Sequence, residues 1–362
     1  MPPANAGHAS RRDAILDAWR GLSVLLVVAS HGLVHLELAE PGSVPYSLVE
    51  PAGALGVRFF FVISGYIITR LLLEEHAAHG RICVPAFYVR RAFRILPPLW
   101  LVLAVTAGVH AAGLIADPSP YWGAAAFLCN TGRVPCHWFV GHLWTLAVEE
   151  QFYLAWPLML TLILKTGSPS GARTAAAGAM IVFLLLAQLS VFTIGWLNNG
   201  LAFACIAAGA WYATSPRLQR AVDRAATLPA LVLAALFLLG RPLIPLYFPG
   251  QYRLQDLATP LLLAFLVFGS FRHRAQLERR IGVRMLAAVG VVSYGLYLWQ
   301  QLFLAPAELY PVDSWLRHWP LFALVALVSW FGLERPLMQL GHRLSRSMTG
   351  AQAGQAPLRE PG

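Results

Sequence analysis

Ten apolar runs, most of them about 15–25 residues long, alternate with short arginine-bearing segments along this chain. A helix needs roughly 20 apolar residues to cross a hydrocarbon layer of ~30 Å. In lipid the backbone has to satisfy its own hydrogen bonds, so runs of this kind must be helical. They read as residues 19–38, 52–73, 97–116, 142–164, 174–197, 198–213, 227–248, 254–271, 285–304 and 319–333. With 57% hydrophobic and 12% charged residues, the composition excludes an ordinary soluble domain.

The formal net charge of +10 would direct a soluble protein toward nucleic acid. Here the basic residues, all arginine except Lys165, lie in clusters between the apolar runs. With the N-terminus inside, twenty-two of the twenty-seven fall on the cytoplasmic side, as the positive-inside rule requires. The partner is therefore the lipid bilayer, and no nucleic-acid role is expected. The fold class is an all-α polytopic integral membrane protein of about ten transmembrane helices, both termini cytoplasmic. Residues 1–340 make the membrane domain, and the Gly/Pro/Ser/Gln-rich stretch 341–362 is expected to be a disordered cytoplasmic tail. The first run lacks a small-residue cleavage site and reads as a retained span. No internal repeat is visible, which weighs against an inverted-repeat transporter.

Ionisable residues inside such runs are costly and point to function or to a buried pairing. Arg20 and His31 are eleven residues apart in the first run, which places them on one helix face about 16 Å apart. His35 lies one turn further on. A histidine there serves either as an acid–base group or as an interhelical hydrogen-bond partner. Glu149 and Glu150 sit inside the fourth run, Glu149 about 10 Å deep and level with His31. That level suits a carboxylate that orients an imidazole, and also a structural ion pair.

Residues 70–96 read as a basic loop, with Pro97-Pro98 opening the third helix. Arg90 and Arg94, one turn apart, fit either lipid headgroups or the phosphates of a ligand. Ser64-Gly65 has no nucleophile elbow around it and suits close helix packing or passage of a ligand. Cys129 and Cys136, in an external loop, suggest a disulfide. No zinc spacing, P-loop or dinucleotide fingerprint occurs, so no metal site is expected.

In order along the chain stand Arg20-Gly21 with His31, Phe60-Phe61-x-x-Ser64-Gly65, Arg90-x-x-x-Arg94 and His142-x-Trp144-x-x-x-x-Glu149-x-Gln151-Phe152-Tyr153. Ser293-Tyr294-Gly295-Leu296-Tyr297-Leu298 and Glu334-Arg335-Pro336 follow. Together they resemble the membrane acyltransferase-3 family, acyl-CoA-dependent O-acyltransferases of the O-antigen acetylase type. The resemblance implies a ten-helix enzyme of the bacterial inner membrane. It would move an acyl group, acetyl in the first instance, from cytoplasmic acyl-CoA to a hydroxyl of a carbohydrate or a lipid-linked or glycosylated acceptor, with no permanently bound cofactor.

By the same resemblance His31 is the catalytic histidine, Arg90 and Arg94 engage the CoA phosphates, and Phe60, Phe61, Ser64 and Gly65 line the acyl-donor path. The spacing adds Arg20 to the cationic mouth that would hold the phosphates and Glu149 as the carboxylate expected to orient His31. The chain departs from the pattern at Gln300, where the family commonly has histidine, and at Thr145, where it commonly has serine. No esterase-like domain is expected after Pro336, and the resemblance is to the stand-alone form. The rival reading is a transporter or exporter of a polar solute, with the buried His and Glu as a proton relay.

Overall fold

The computed structural model describes residues 13–35, 44–166, 169–189, 199–240, 252–311 and 319–353. Every regular element among them is helical. α1 (Ala14–His35) starts at Asp13, whose carboxylate accepts from the amides of Ile15 at 3.2 Å and Leu16 at 3.3 Å. Two of the donors that a helix N-terminus leaves free are thereby satisfied. Arg274 donates to the other Asp13 oxygen at 2.6 Å and ties this end of α1 to a later part of the chain.

α2 (Val44–His79) begins ahead of Pro51 and runs well past Leu73. After a short turn, α3 (Val84–Ala111) begins with a proline in its first turn and carries Pro97 and Pro98 in its interior. The expected basic loop is thus largely helix. The proline that opens α3 is Pro85, where a missing amide donor costs little. Glu75 closes the turn by accepting from the Cys83 amide at 2.7 Å and pairing with Arg90 at 3.2 Å.

Two short helices, α4 (Tyr121–Ala125) and α5 (Trp138–Gly141), lie in the segment ahead of α6 (Trp144–Lys165). The Cys129–Cys136 disulfide closes a loop between them. There follow α7 (Pro169–Leu189), α8 (Gly200–Thr214), α9 (Pro216–Ala225), α10 (Leu228–Gly240) and α11 (Tyr252–Gly269). After α12 (Arg274–Leu277) come α13 (Ile281–Val291), α14 (Ser293–Phe303) and α15 (Trp319–Ser329). A π-helical turn, Trp330–Glu334, leads into α16 (Arg335–Ala353).

The described part of each of the ten apolar runs is largely helical, yet the described residues do not support a count of ten spans by length and hydropathy. Four helices qualify, or six if the bent pairs α9–α10 and α13–α14 are each one span. α7 and α8 are short, and in α6 the polar run Glu149-Glu150-Gln151 interrupts the apolar sequence. α6 still presents Leu154, Leu158 and Leu162 outward at four-residue spacing, each more than half exposed. Such an apolar stripe suits lipid rather than water. α16 extends to Ala353, into the segment expected to be disordered, and packs where Gly341 meets the Phe93 side chain.

The bundle is drawn together along seams of small residues. A Cβ on Gly65 would overlap the Ile206 carbonyl of α8, and one on Gly209 would overlap the Val62 carbonyl of α2. Gly21 and Gly290 join α1 to α13 in the same reciprocal way. Without a hydrophobic drive between helices in lipid, backbone approach of this kind supplies the packing energy. Gly65→Val is accordingly expected to destabilise the bundle by at least ~1–3 kcal/mol, because the obstacle is backbone. Gly178→Ala, with open space around it, should be neutral. Thermal unfolding in detergent checks the pair, and equal midpoints would remove the seam argument.

Candidate active site

α1, α2, α3, α6 and α14 enclose a cavity of about 110 Å³. α1 contributes Arg20, and α3 contributes Arg91 and Arg94. Phe60, Phe61 and Ser64 come from α2, and Thr145, Glu149 and Tyr153 from α6. Ser293, Tyr294 and Tyr297 line it from α14. The three arginines interact electrostatically with one another and with Glu149. Among the described residues, no carboxylate lies within ion-pair distance of Arg91 or Arg94. Arg91 instead stacks on Tyr153, 4.7 Å from its ring centre.

The remaining polar groups are tightly wired. Ser64 donates to Glu149 Oε1 at 2.7 Å, and the Tyr153 hydroxyl lies 3.4 Å from Oε2. The Tyr297 hydroxyl donates to the His142 carbonyl at 2.7 Å and lies 2.6 Å from Thr145 Oγ1. The closing sequence motifs meet here as well. Glu334 is buried, accepts from Ser329 at 3.1 Å and sits over Gly295, where a side chain would collide with it.

His31 lies beyond the Tyr297 end of this cavity. Its Nδ1 is 3.2 Å from Gln300 Oε1, and its ring meets Trp138 edge-on with centres 5.4 Å apart. Tyr297 and Gln300 are three residues apart, about one turn of α14, so the cavity end and His31 are neighbours. Glu149 is not the partner of His31. From Glu149 to Thr145 along α6, and from Tyr297 to Gln300 along α14, the helical rises add to ~10 Å between their levels. The sequence-based depth matched helix ends, whereas the actual levels depend on how α1 and α6 slide past each other.

Arg20, Arg94, Phe60, Phe61, Ser64 and Glu149 are therefore gathered at one cavity. Besides His31, two other expected residues lie outside its lining. Gly65 faces the α8 backbone in a packing seam, and Arg90 is turned away to Glu75. Its place is taken by Arg91, since positions three and four residues apart share a helix face equally well. The side chain of His35 lies outside the described residues. Sequence reasoning missed Tyr297 and passed over Gln300 as a departure from pattern. The three-residue spacing of two polar groups in an apolar helix was the available signal.

The chain is 26% identical over 331 residues to the O-acetyltransferase OatA of Staphylococcus aureus (strain NCTC 8325 / PS 47), covering 80% of this chain and 53% of that protein. It is 25% identical over 314 residues to the peptidoglycan O-acetyltransferase OatA of Listeria monocytogenes, covering 78% of this chain and 48% of that protein. The chain thus spans about half the length of the curated relatives it matches. No solved structure matches it. The family model described as an acyltransferase domain matches residues 13–334, the stretch that supplies every wall of the cavity, and the chain belongs to this acyltransferase-3 family.

Proposed function

We propose that this protein is a membrane O-acyltransferase that takes an acyl group, acetyl in the first instance, from cytoplasmic acyl-CoA and delivers it to a carbohydrate hydroxyl. The observation that carries this reading is the Arg91–Arg94 pair, with no carboxylate at ion-pair distance among the described residues, in a cavity whose other end adjoins His31. Half-buried guanidinium groups with no carboxylate at ion-pair distance suit an anionic ligand, and their forks suit phosphate. The CoA phosphates would bind there, and the pantetheine arm would run past Phe60 and Tyr297 toward His31. This direction accords with the arginine bias of the sequence, which puts Arg20 near the inner face and His31 toward the outer one.

His31 acts as the general base. Its free ring nitrogen takes the proton of the acceptor hydroxyl as that oxygen attacks the thioester carbonyl. The C–S bond breaks, the new ester leaves on the acceptor, and the proton passes to the departing CoA thiolate. Glu149, held by Ser64, balances the charge of the arginine cluster and shapes the donor cavity. The relative that is named for peptidoglycan O-acetylation makes a cell-wall saccharide the acceptor class to try first.

The test is transfer of labelled acetyl from acetyl-CoA, supplied at the cytoplasmic face of membrane vesicles, followed by mass spectrometry of saccharides from deletion and complemented strains. Label in an ester on saccharide is the expected result. Export of acceptor with no ester formed would overturn the assignment in favour of transport.

A further inference from the structure

We infer that Gln300 is a positioning residue, which sets the tautomer of His31 and so decides which ring nitrogen can act as the base. The inference rests on the proposed role of His31. Gln300 is fully buried, and its Oε1 lies 3.2 Å from His31 Nδ1. An amide oxygen can only accept a hydrogen bond, so Nδ1 carries the proton and Nε2 keeps the lone pair. The opposite amide orientation would present N–H to Nδ1, put the ring proton on Nε2 and block the base.

The surroundings hold Gln300 still. The next residue, Gln301, accepts from the His142 amide at 3.2 Å and lies 2.6 Å from His142 Nδ1. One turn back, Tyr297 donates to the His142 carbonyl at 2.7 Å. This helix is thus fastened to a single residue on both sides of Gln300. Trp138, which meets the His31 ring edge-on, is fastened to this helix too, by its indole N–H on the Gln301 carbonyl at 3.3 Å. Both groups that touch His31 are thus tied to the same helix.

A neutral amide suits this position. A carboxylate beside the imidazole would hold the same tautomer but would place a charge where burial is expensive. Gln300 Nε2 is buried with no partner among the described residues.

The experiment compares purified variants in liposomes, each first shown to be inserted, with kcat and the KM for acetyl-CoA measured separately. Gln300→Met keeps the shape and removes the acceptor. It is expected to lower kcat about 10–100-fold with little change in KM, because a mis-set tautomer spoils proton transfer and leaves donor binding intact. Gln300→Glu and Gln300→His each keep an acceptor atom, and at least one should restore most of kcat. A Gln300→Met protein with wild-type kcat would overturn the inference, as would equal losses in all three variants.

A parallel His31→Ala protein separates the two ideas. Full activity there defeats the role of His31 itself, whereas an inactive His31→Ala beside a fully active Gln300→Met defeats only the role of Gln300. Nitrogen-15 spectra of labelled wild-type protein, with the His31 signal identified by its loss in His31→Ala, read the tautomer without any change at Gln300. Proton on Nδ1 supports the inference, and proton on Nε2 refutes it.

Discussion

His31→Ala is expected to lower turnover about 10²–10⁴-fold, the range that a positioned general base supplies. The protein should remain inserted and should still bind acetyl-CoA, because His31 is absent from the cavity lining that carries the arginines. Its ring is held by one hydrogen bond and one aromatic edge, so truncation removes little packing. The check is single-turnover acetyl transfer in reconstituted protein, beside a direct measurement of donor binding. A well-inserted His31→Ala protein that transfers at the wild-type rate would remove the base and leave His31 a packing group.

The second large effect is expected at Arg94. Replacing it with alanine should raise the KM for acetyl-CoA about 10–100-fold, the equivalent of ~1.5–3 kcal/mol for a hydrogen bond to a charged group, with kcat much less affected. Arg94→Lys should recover only part of this, since an ammonium keeps the charge and loses the two-pronged geometry. Arg90→Ala is the internal comparison. Arg90 is already paired with Glu75 and lies outside the cavity, so its loss should change the donor KM by no more than a few-fold. Equal effects at the two positions would mean that the cluster acts as a diffuse surface charge and not as a phosphate site.

Much of the candidate site was legible before any coordinates because the membrane makes polar residues conspicuous. Arg20, Ser64 and Glu149 stand out in apolar runs, where each needs a reason to be present, and all three reach the cavity. The disulfide was legible for a similar reason, as two cysteines seven residues apart in a loop between apolar runs. The arginines of α3 were legible only as a group. Helical spacing allows Arg90 with Arg94 as readily as Arg91 with Arg94, and the choice was made by Glu75, from the end of the preceding helix.

What the amino-acid sequence determined by itself is the class of solution. Lipid permits only helices for runs of this length and polarity, and the arginine clusters bias which ends stay inside. Tertiary structure alone decided the axial offset between α1 and α6, and with it the partner of His31. Helix registry is set by where backbones can approach, and such contacts fix α1 against α13 at Gly21 with Gly290 and α2 against α8 at Gly65 with Gly209, between residues far apart in the chain. An offset of ~10 Å is about two helical turns. It moved the neighbour of His31 from a carboxylate on α6 to an amide on α14, because hydrogen bonds need contact at about 3 Å and a depth estimate in a bilayer cannot resolve a turn.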